Sequence, residues 1–490
     1  MKSRSLKILT ALLVTILVAS GSYWQVNFNK DWHEEYAYAK GIDAMVYSFP
    51  YQLNSALLYK WSQTKGPEGY QGPVDAVNHF WHTNQPANPK IYSDGGMPNV
   101  DTLYSVSWVY AKDQPVIISV PEIPNDRFYS FQIAGFDSDN FAYISKRLHG
   151  NGGGNYAIVP PGWQGELPKD VEFLAHNPTS WFLTAGRTFV DPNDPQDSVR
   201  VNALQQQYKI VALSDWGKET PPRPAHPPIA DMGKLSEMLL EGNIIDYLKR
   251  LVISDPLSYW ENVNHAMTVN GVPMRDRSRL ADWAMLKIGP NQDISQANPS
   301  ALAGLKRSVM SGMIILKDYG LHGFNLNVAN GWFYPPKSTG RSGIAGDYLS
   351  RSALQSMKGI IANDAQEAVY IPVRKDQFGE ELNGDNSYEI HFKPDQIPKA
   401  TNFWSLTAYD IDGNLILNPI DRYAVGDRSK QLTYEADGGL RIFVGKTPPK
   451  GKESNWLPIA DGYAILMLRV YGPGEDVIAQ TWQPPSVLRL

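Results

Sequence analysis

The chain is predicted to be mainly β with a helical insert, two β units flanking a helical middle region. Three observations carry this expectation. Short alternating runs bounded by Gly, Pro, Asp or Asn fill two separate stretches of the sequence. The stretch between them has helical period and length. Aromatic residues reach 11%, with 14 Trp and 26 Tyr, and such rings favour pleated surfaces and polar-aromatic clefts. At 490 residues the chain exceeds one ordinary core, so about three units are expected.

In chain order, residues 1–22 have the physical form of an export signal. Lys2, Arg4 and Lys7 precede an apolar run from Ile8 to Ala19, followed by the small residues Ser20, Gly21 and Ser22. A cleaved signal and a retained inner-membrane anchor over residues 8–22 both fit, the run being short for a bilayer span. Removing the three cations would take the formal charge from -5 to about -8. Residues 31–98 read as a lead-in: two helices broken near Pro50, then a loop rich in Gly, Pro and Asn. A first β unit is expected over 99–220, with strands at Thr102–Tyr110, Val116–Val120, Arg127–Ala134, Asn140–Ser145, Asn155–Val159 and Trp181–Arg187.

The prolines from Pro221 to Pro228 read as a stiff linker opening a helical region over 221–365. Helices are expected at Met232–Leu248, Leu257–Met267, Arg277–Lys287, Ser300–Lys317 and Tyr348–Ala362. A second β unit over 366–490 carries strands at Tyr388–Phe392, Thr401–Tyr409, Leu415–Leu417, Leu432–Glu435, Arg441–Val444 and Tyr463–Tyr471. Its turns are marked by Asp412-Gly413 and Asp437-Gly438.

Composition excludes several classes. A net charge of -5 without a basic run gives no footprint for nucleic acid, and the absence of cysteine removes disulfides, thiolate catalysis and Cys-based metal sites. Ser62-Gln-Thr-Lys65, Ser138-Asp-Asn140 and Lys446-Thr447 echo a penicillin-binding triad of motifs, but the Ser adjoins a Gly-rich loop and the third motif lacks its Gly. The Gly run Asn151–Asn155 precedes a strand and reads as a turn, and Asp410–Asn414 lacks the Glu that closes a calcium loop. His79 and His82, with Asp75 upstream, could share a helix face and hold a metal. Packing in a short connector is the preferred reading, and neither metal nor cofactor is expected.

Two polar-aromatic blocks survive this filtering. In Asn99-Val-Asp-Thr-Leu-Tyr-Ser105, strand alternation puts Asn99, Asp101, Leu103 and Ser105 on one face and Tyr104 on the other; the polar residues either tie the preceding loop or point into a pocket. The second block runs from Phe403-Trp404 through Tyr409, Asp410 and Arg422 to Asn455-Trp456. Arg422 reads either as a buried partner of Asp410 or Asp421 or as a clamp.

These blocks resemble a tandem bacterial family, domain of unknown function 1254 followed by domain of unknown function 1214. The first is suggested by Asn99–Ser105 and Ala185-Gly-Arg-Thr188. The second is suggested by Gly331-Trp332, Arg351-Ser-Ala353, Glu367-Ala-Val-Tyr370, Phe403-Trp-Ser-Leu406, Tyr409-Asp410, Arg422-Tyr423, Asn455-Trp-Leu-Pro458, Arg469-Val-Tyr471 and Trp482. The resemblance implies an N-terminal immunoglobulin-like β domain, a helical middle region and a C-terminal jelly-roll β-sandwich; it implies little about activity.

The functional expectation is an exported, periplasmic or extracellular protein with a cleft between its β units, a hydrolase acting on a glycan-like or small polar substrate. The alternative is a glycan- or envelope-binding module without catalysis, or a secreted interaction protein. Asp101 and Asp410 are the acid/base candidates. Asn99 and Asn455 would donate hydrogen bonds, Arg187 and Arg422 would clamp an anion or carbonyl, and Tyr104, Trp404, Tyr409 and Trp456 would form the walls. The expected partner is a small polar ligand. Membrane contact is expected only through the N-terminal segment, and a homo-oligomer is compatible with the sequence.

Overall fold

Pro50 is the first place where the fold departs from the sequence reading. The computed structural model describes residues 31–66, 72–92, 96–124, 126–229, 244–322, 327–356 and 359–490. In it α1 (Trp32–Ser62) is one helix of 31 residues that runs through the proline. A helix-interior proline frees the carbonyl four residues back and disturbs its neighbours. Here other segments supply donors: the Ser352 hydroxyl to Val46 O, Arg351 Nη2 to Tyr47 O at 2.6 Å, and the Tyr259 hydroxyl to Met45 O at 3.2 Å. The expected break near Pro50 is therefore absent.

Among the described residues five further α-helices have eight residues or more: α2 (Asp197–Gln205), α3 (Ile244–Ser254), α4 (Pro256–Asn270), α5 (Arg277–Ala284) and α6 (Pro299–His322). The lead-in helix is part of this body, because α1 packs along α6 at glycines. A Cβ on Gly304 would lie 2.1 Å from Glu34 O, and one on Gly41 2.4 Å from Ser308 Oγ. The helix expected at Tyr348–Ala362 is shorter: one turn at Tyr348–Ser350 continues as a π-helical turn over Arg351–Ser356. The signal-like segment 1–22 and residues 232–243 of the helix expected at Met232–Leu248 lie outside the described residues.

The first β unit comprises β1 (Trp81–His82), β2 (Thr102–Tyr110), β3 (Val116–Val120), β4 (Tyr129–Gly135), β5 (Asn140–Ser145), β6 (Gly154–Val159), β7 (Glu172–His176), β8 (Trp181–Phe189) and β9 (Lys209–Ala212). They form two sheets, ordered β1-β2-β8-β4-β5 and β7-β6-β3-β9. Between them lie Phe131, Ile133, Ile118, Ile158 and Phe182. Trp108, Trp181 and Leu183, on the outer face of the first sheet, join the helical core instead.

The second unit comprises β10 (Val328–Ala329), β11 (Trp332–Phe333), β12 (Ala368–Val373), β13 (Tyr388–Phe392), β14 (Ala400–Asp410), β15 (Ala424–Gly426), β16 (Leu440–Gly445), β17 (Trp456–Pro458), β18 (Ala464–Pro473) and β19 (Val487–Arg489). Its sheets are ordered β10-β11-β12-β18-β14-β15 and β17-β16-β13-β19. Leu415–Leu417 and Leu432–Glu435, expected as strands, are not; apart from one bridge from Tyr409 to Leu415 they run as turns and loop. Two sandwiches and a helical body result.

Candidate functional site at the joint between the sandwiches

The joint forms because the outer face of the first sandwich divides. Toward one end of β2 and β8 the face is apolar and leans on α1. At the other end Tyr104 lies directly opposite Arg187, with Ser130 of β4 on the far side of Arg187. The second sandwich answers with a matching row, Tyr370 opposite Arg469 and Arg469 opposite Ser405, across β12, β18 and β14. A strand has period two, so residues 403, 405, 407 and 409 face the joint while 404, 406 and 408 face the core.

The segment before β2 is fastened to this second face. Met97 N donates to Gly413 O and Met97 O accepts from Arg469 Nη2, each at 2.9 Å; Pro98 O accepts from the Tyr409 hydroxyl at 2.7 Å. Asn99 donates from Nδ2 to the Tyr471 hydroxyl and accepts the Asp101 N–H at 2.7 Å. Asp101 Oδ2 accepts from Ser405 Oγ at 2.6 Å. Burial pushes the Asp101 carboxyl up, against the lowering effects of the Ser405 hydrogen bond and Arg469.

Asp101, Tyr104 and Tyr370 keep part of their surface accessible, while Asn99, Arg187, Ser405, Arg469 and Tyr471 around them are buried. Partly accessible polar side chains among buried ones are where a small polar ligand could reach the joint. Arg187 donates from Nη1 to Gln132 Oε1 at 2.9 Å and its guanidinium lies 5.4 Å from the Tyr104 ring centre. Arg469 donates from Nη1 to Thr407 Oγ1 at 3.0 Å and lies 5.4 Å from the Tyr409 ring centre. Behind this polar layer Phe403 stacks on Tyr471 at 4.3 Å. On the far side of this aromatic pair Phe403 lines a cleft of about 280 Å³ with Phe128, Phe189, Arg127, Asp197 and Arg428.

The residues expected at the site divide. Asn99, Asp101, Tyr104, Arg187 and Tyr409 meet at the joint. Trp404 does not: it is 2% exposed on the core face of β14, beside Phe392. Asp410 accepts from Asp412 N, Asn414 N and Asn414 Nδ2, which makes it the tie of a turn. Arg422 pairs with no carboxylate among the described residues and donates to the carbonyls of Glu453, Ser454 and Trp456. Asn455 is saturated by Thr433, Arg441 O and Ser454, and buried Trp456 donates to Gly445 O.

His82 does not share a helix face with His79, since it sits in β1. Its imidazole bonds Ser105 Oγ at 2.9 Å, and burial, with a smaller effect of His79, pulls it down to about 4. No cluster of three metal-ligating side chains occurs among the described residues. The sequence reading missed Tyr370 and Ser405 as joint residues and named Arg469 and Tyr471 only in passing. The available signal was Arg469 itself, a charge inside the apolar run Ala464–Val470.

Family models place this joint between two units. Residues 77–212 match a protein of unknown function, DUF1254, and residues 367–475 match a protein of unknown function, DUF1214. The chain belongs to the tandem DUF1254–DUF1214 family. Asn99, Asp101, Tyr104 and Arg187 thus come from the DUF1254 unit, and Tyr370, Ser405, Tyr409, Arg469 and Tyr471 from the DUF1214 unit. The fold is similar to the crystal structure of the VPA0106 protein from Vibrio parahaemolyticus, with a TM-score of 0.66 and 20% identity over 92% of this chain and 100% of that one. An uncharacterized protein from Burkholderia cenocepacia aligns with a TM-score of 0.44 and 14% identity over 96% and 97% of the two chains. A search of curated proteins gives no match.

Proposed function

We propose that this tandem DUF1254–DUF1214 protein is exported to the periplasm and acts there as a hydrolase on a small polar or glycan-like molecule bound at the joint. The observation that carries the reading is Asp101: a partly accessible carboxyl whose hold on its proton burial strengthens, bonded by the Ser405 hydroxyl and lying near the buried Arg469 guanidinium. Such a group can deliver a proton to a leaving oxygen and take one back. Tyr104 and Tyr370 would wall the substrate. Arg187 and Arg469 would hold its polar groups. The charged, apolar and then small-residue opening of the sequence supports export.

A binding module is the second reading, supported by the bonding of residues 97–99 and 101 to the DUF1214 face. Screening the purified protein against chromogenic glycosides and small esters separates the two. Turnover lost in Asp101→Asn, with ligand-induced thermal stabilisation kept, supports the enzyme. Stabilisation without any turnover in the wild type supports the binding module.

A further inference from the structure

We propose that the joint recognises a monoanionic, hydroxylated ligand of the sugar-acid class, its carboxylate received by Arg187 and Arg469. This rests on the reading of the joint as the ligand site and names the chemistry that site selects. Arg187 and Arg469 are 7% and 4% exposed. Their partners among the described residues are neutral: Gln132 and Ala185 O for one, Thr407 and Met97 O for the other. Arg187 Nε is buried with no acceptor among the described residues.

Burying a cation without a counter-charge is strongly unfavourable, and an arginine cannot escape by losing its proton. The counter-charge must come from elsewhere. Asp101 supplies one negative charge at most. The nearby acids Asp364 and Glu367 are committed to Arg341 at 2.6 Å and Arg147 at 2.7 Å, and Asp427 is exposed beside Arg428. Burial pushes the Tyr471 phenol well up and Tyr409 to about 12, so neither ionises at neutral pH. With Asp101 ionised, a form the neighbouring Arg469 cation favours once the proton is released, the two guanidiniums leave a single positive charge, which one ligand carboxylate neutralises in a planar, two-point geometry. The ligand's hydroxyls would meet Asp101, Tyr104 and Tyr370.

The test is thermal denaturation of the full chain with glucuronate, galacturonate, glucose, galactose and inorganic phosphate at equal ionic strength. A uronate is expected to raise Tm by about 2–4 °C while its neutral parent sugar does not. Arg187→Gln should abolish that shift without lowering the unliganded Tm, whereas a purely structural arginine would lower it. If Arg187→Gln fails to fold, Arg187→Lys, which keeps the charge but loses the fork, should retain a reduced shift.

Equal stabilisation by glucose and glucuronate would overturn the anion inference and leave the glycan reading standing. Stabilisation by phosphate alone would overturn the sugar-acid assignment. No response to any of the five would overturn the inference; the functional reading would then fall only if the wider substrate screen were also silent.

Discussion

The molecule buries arginines in two places, and the two are built differently. Under α1, Arg351 is fully buried with Asp137 at 3.6 Å and Asp139 at 3.8 Å. Arg275 donates to the same two carboxylates at 2.7 and 2.8 Å, and Asp276 accepts from the Tyr47 and Tyr348 hydroxyls. Three carboxyls face two guanidiniums there. The surplus negative charge can be removed by a proton, and Asp139 is the group positioned to take it: burial and then Asp137 push its carboxyl up to about 7. At the joint the surplus among the described residues is positive, with Asp101 the one carboxyl set against Arg187 and Arg469. A network that balances itself holds a fold together, whereas one that stays unbalanced awaits something from outside.

The sharpest way to break this comparison is to remove one arginine from each place. Arg351→Met leaves Asp137 and Asp139 buried without their central cation and is expected to cost about 3–5 kcal/mol, read from the urea midpoint. Arg187→Met removes a charge that has no counter-ion, and its cost should not exceed about 1 kcal/mol. Equal losses would mean that Arg187 is structural too.

Neighbours on β14 sharpen the same contrast. Trp404→Ala opens a cavity in the DUF1214 core and should cost about 3–5 kcal/mol. Ser405→Ala loses one hydrogen bond to a charged group, about 1.5–3 kcal/mol, and should raise the Asp101 pKa measured by carboxyl NMR titration. A Ser405 variant with an unmoved Asp101 titration would separate that hydroxyl from the site.

Acidity tests the self-balancing region directly. A carboxyl whose folded pKa lies above its unfolded value binds an extra proton in the folded state between the two values, so its contribution to stability falls as pH rises through that window. For Asp139 the window runs from 3.8 to about 7. The Asp139 contribution should therefore decline from pH 4 toward pH 7, so the stability of wild type relative to Asp139→Asn should fall steadily across that range. An unchanged pH profile in that variant would place the extra proton elsewhere.

How much of this was legible beforehand follows from where the information sits. The long central strands of both units are legible because alternation and turn residues are local, whereas Leu415–Leu417 and Leu432–Glu435 carry similar signals yet run as turn and loop. The continuity of α1 is not legible, because the donors that rescue Pro50 come from Tyr259, Arg351 and Ser352, over 200 residues away. Trp404 and Ser405 were separable in principle by period two. Both faces of β14 are covered, however, and sequence alone does not say which face meets the other unit. Asp410 and Asn455 drew attention as polar residues among aromatics, yet such residues are equally suited to tying turns. Only their hydrogen-bond partners decide.

The smallest expected effect concerns that last distinction. Asp410 holds a turn through the N–H groups of Asp412 and Asn414, and Gly413 occupies the turn at φ 83°, a conformation that favours glycine. Asp410→Ala should cost about 1 kcal/mol, the typical value of a side-chain tie to backbone N–H groups. Because Gly413 O receives Met97 N, the loss should also loosen the segment that leads to Asp101, visible as faster amide exchange at Met97. Turnover and ligand affinity should be nearly unchanged if Asp101 alone carries the acid chemistry. A loss of activity as large as that of Asp101→Asn, with stability intact, would return Asp410 to the site and move the chemistry from the joint to the turn beside it.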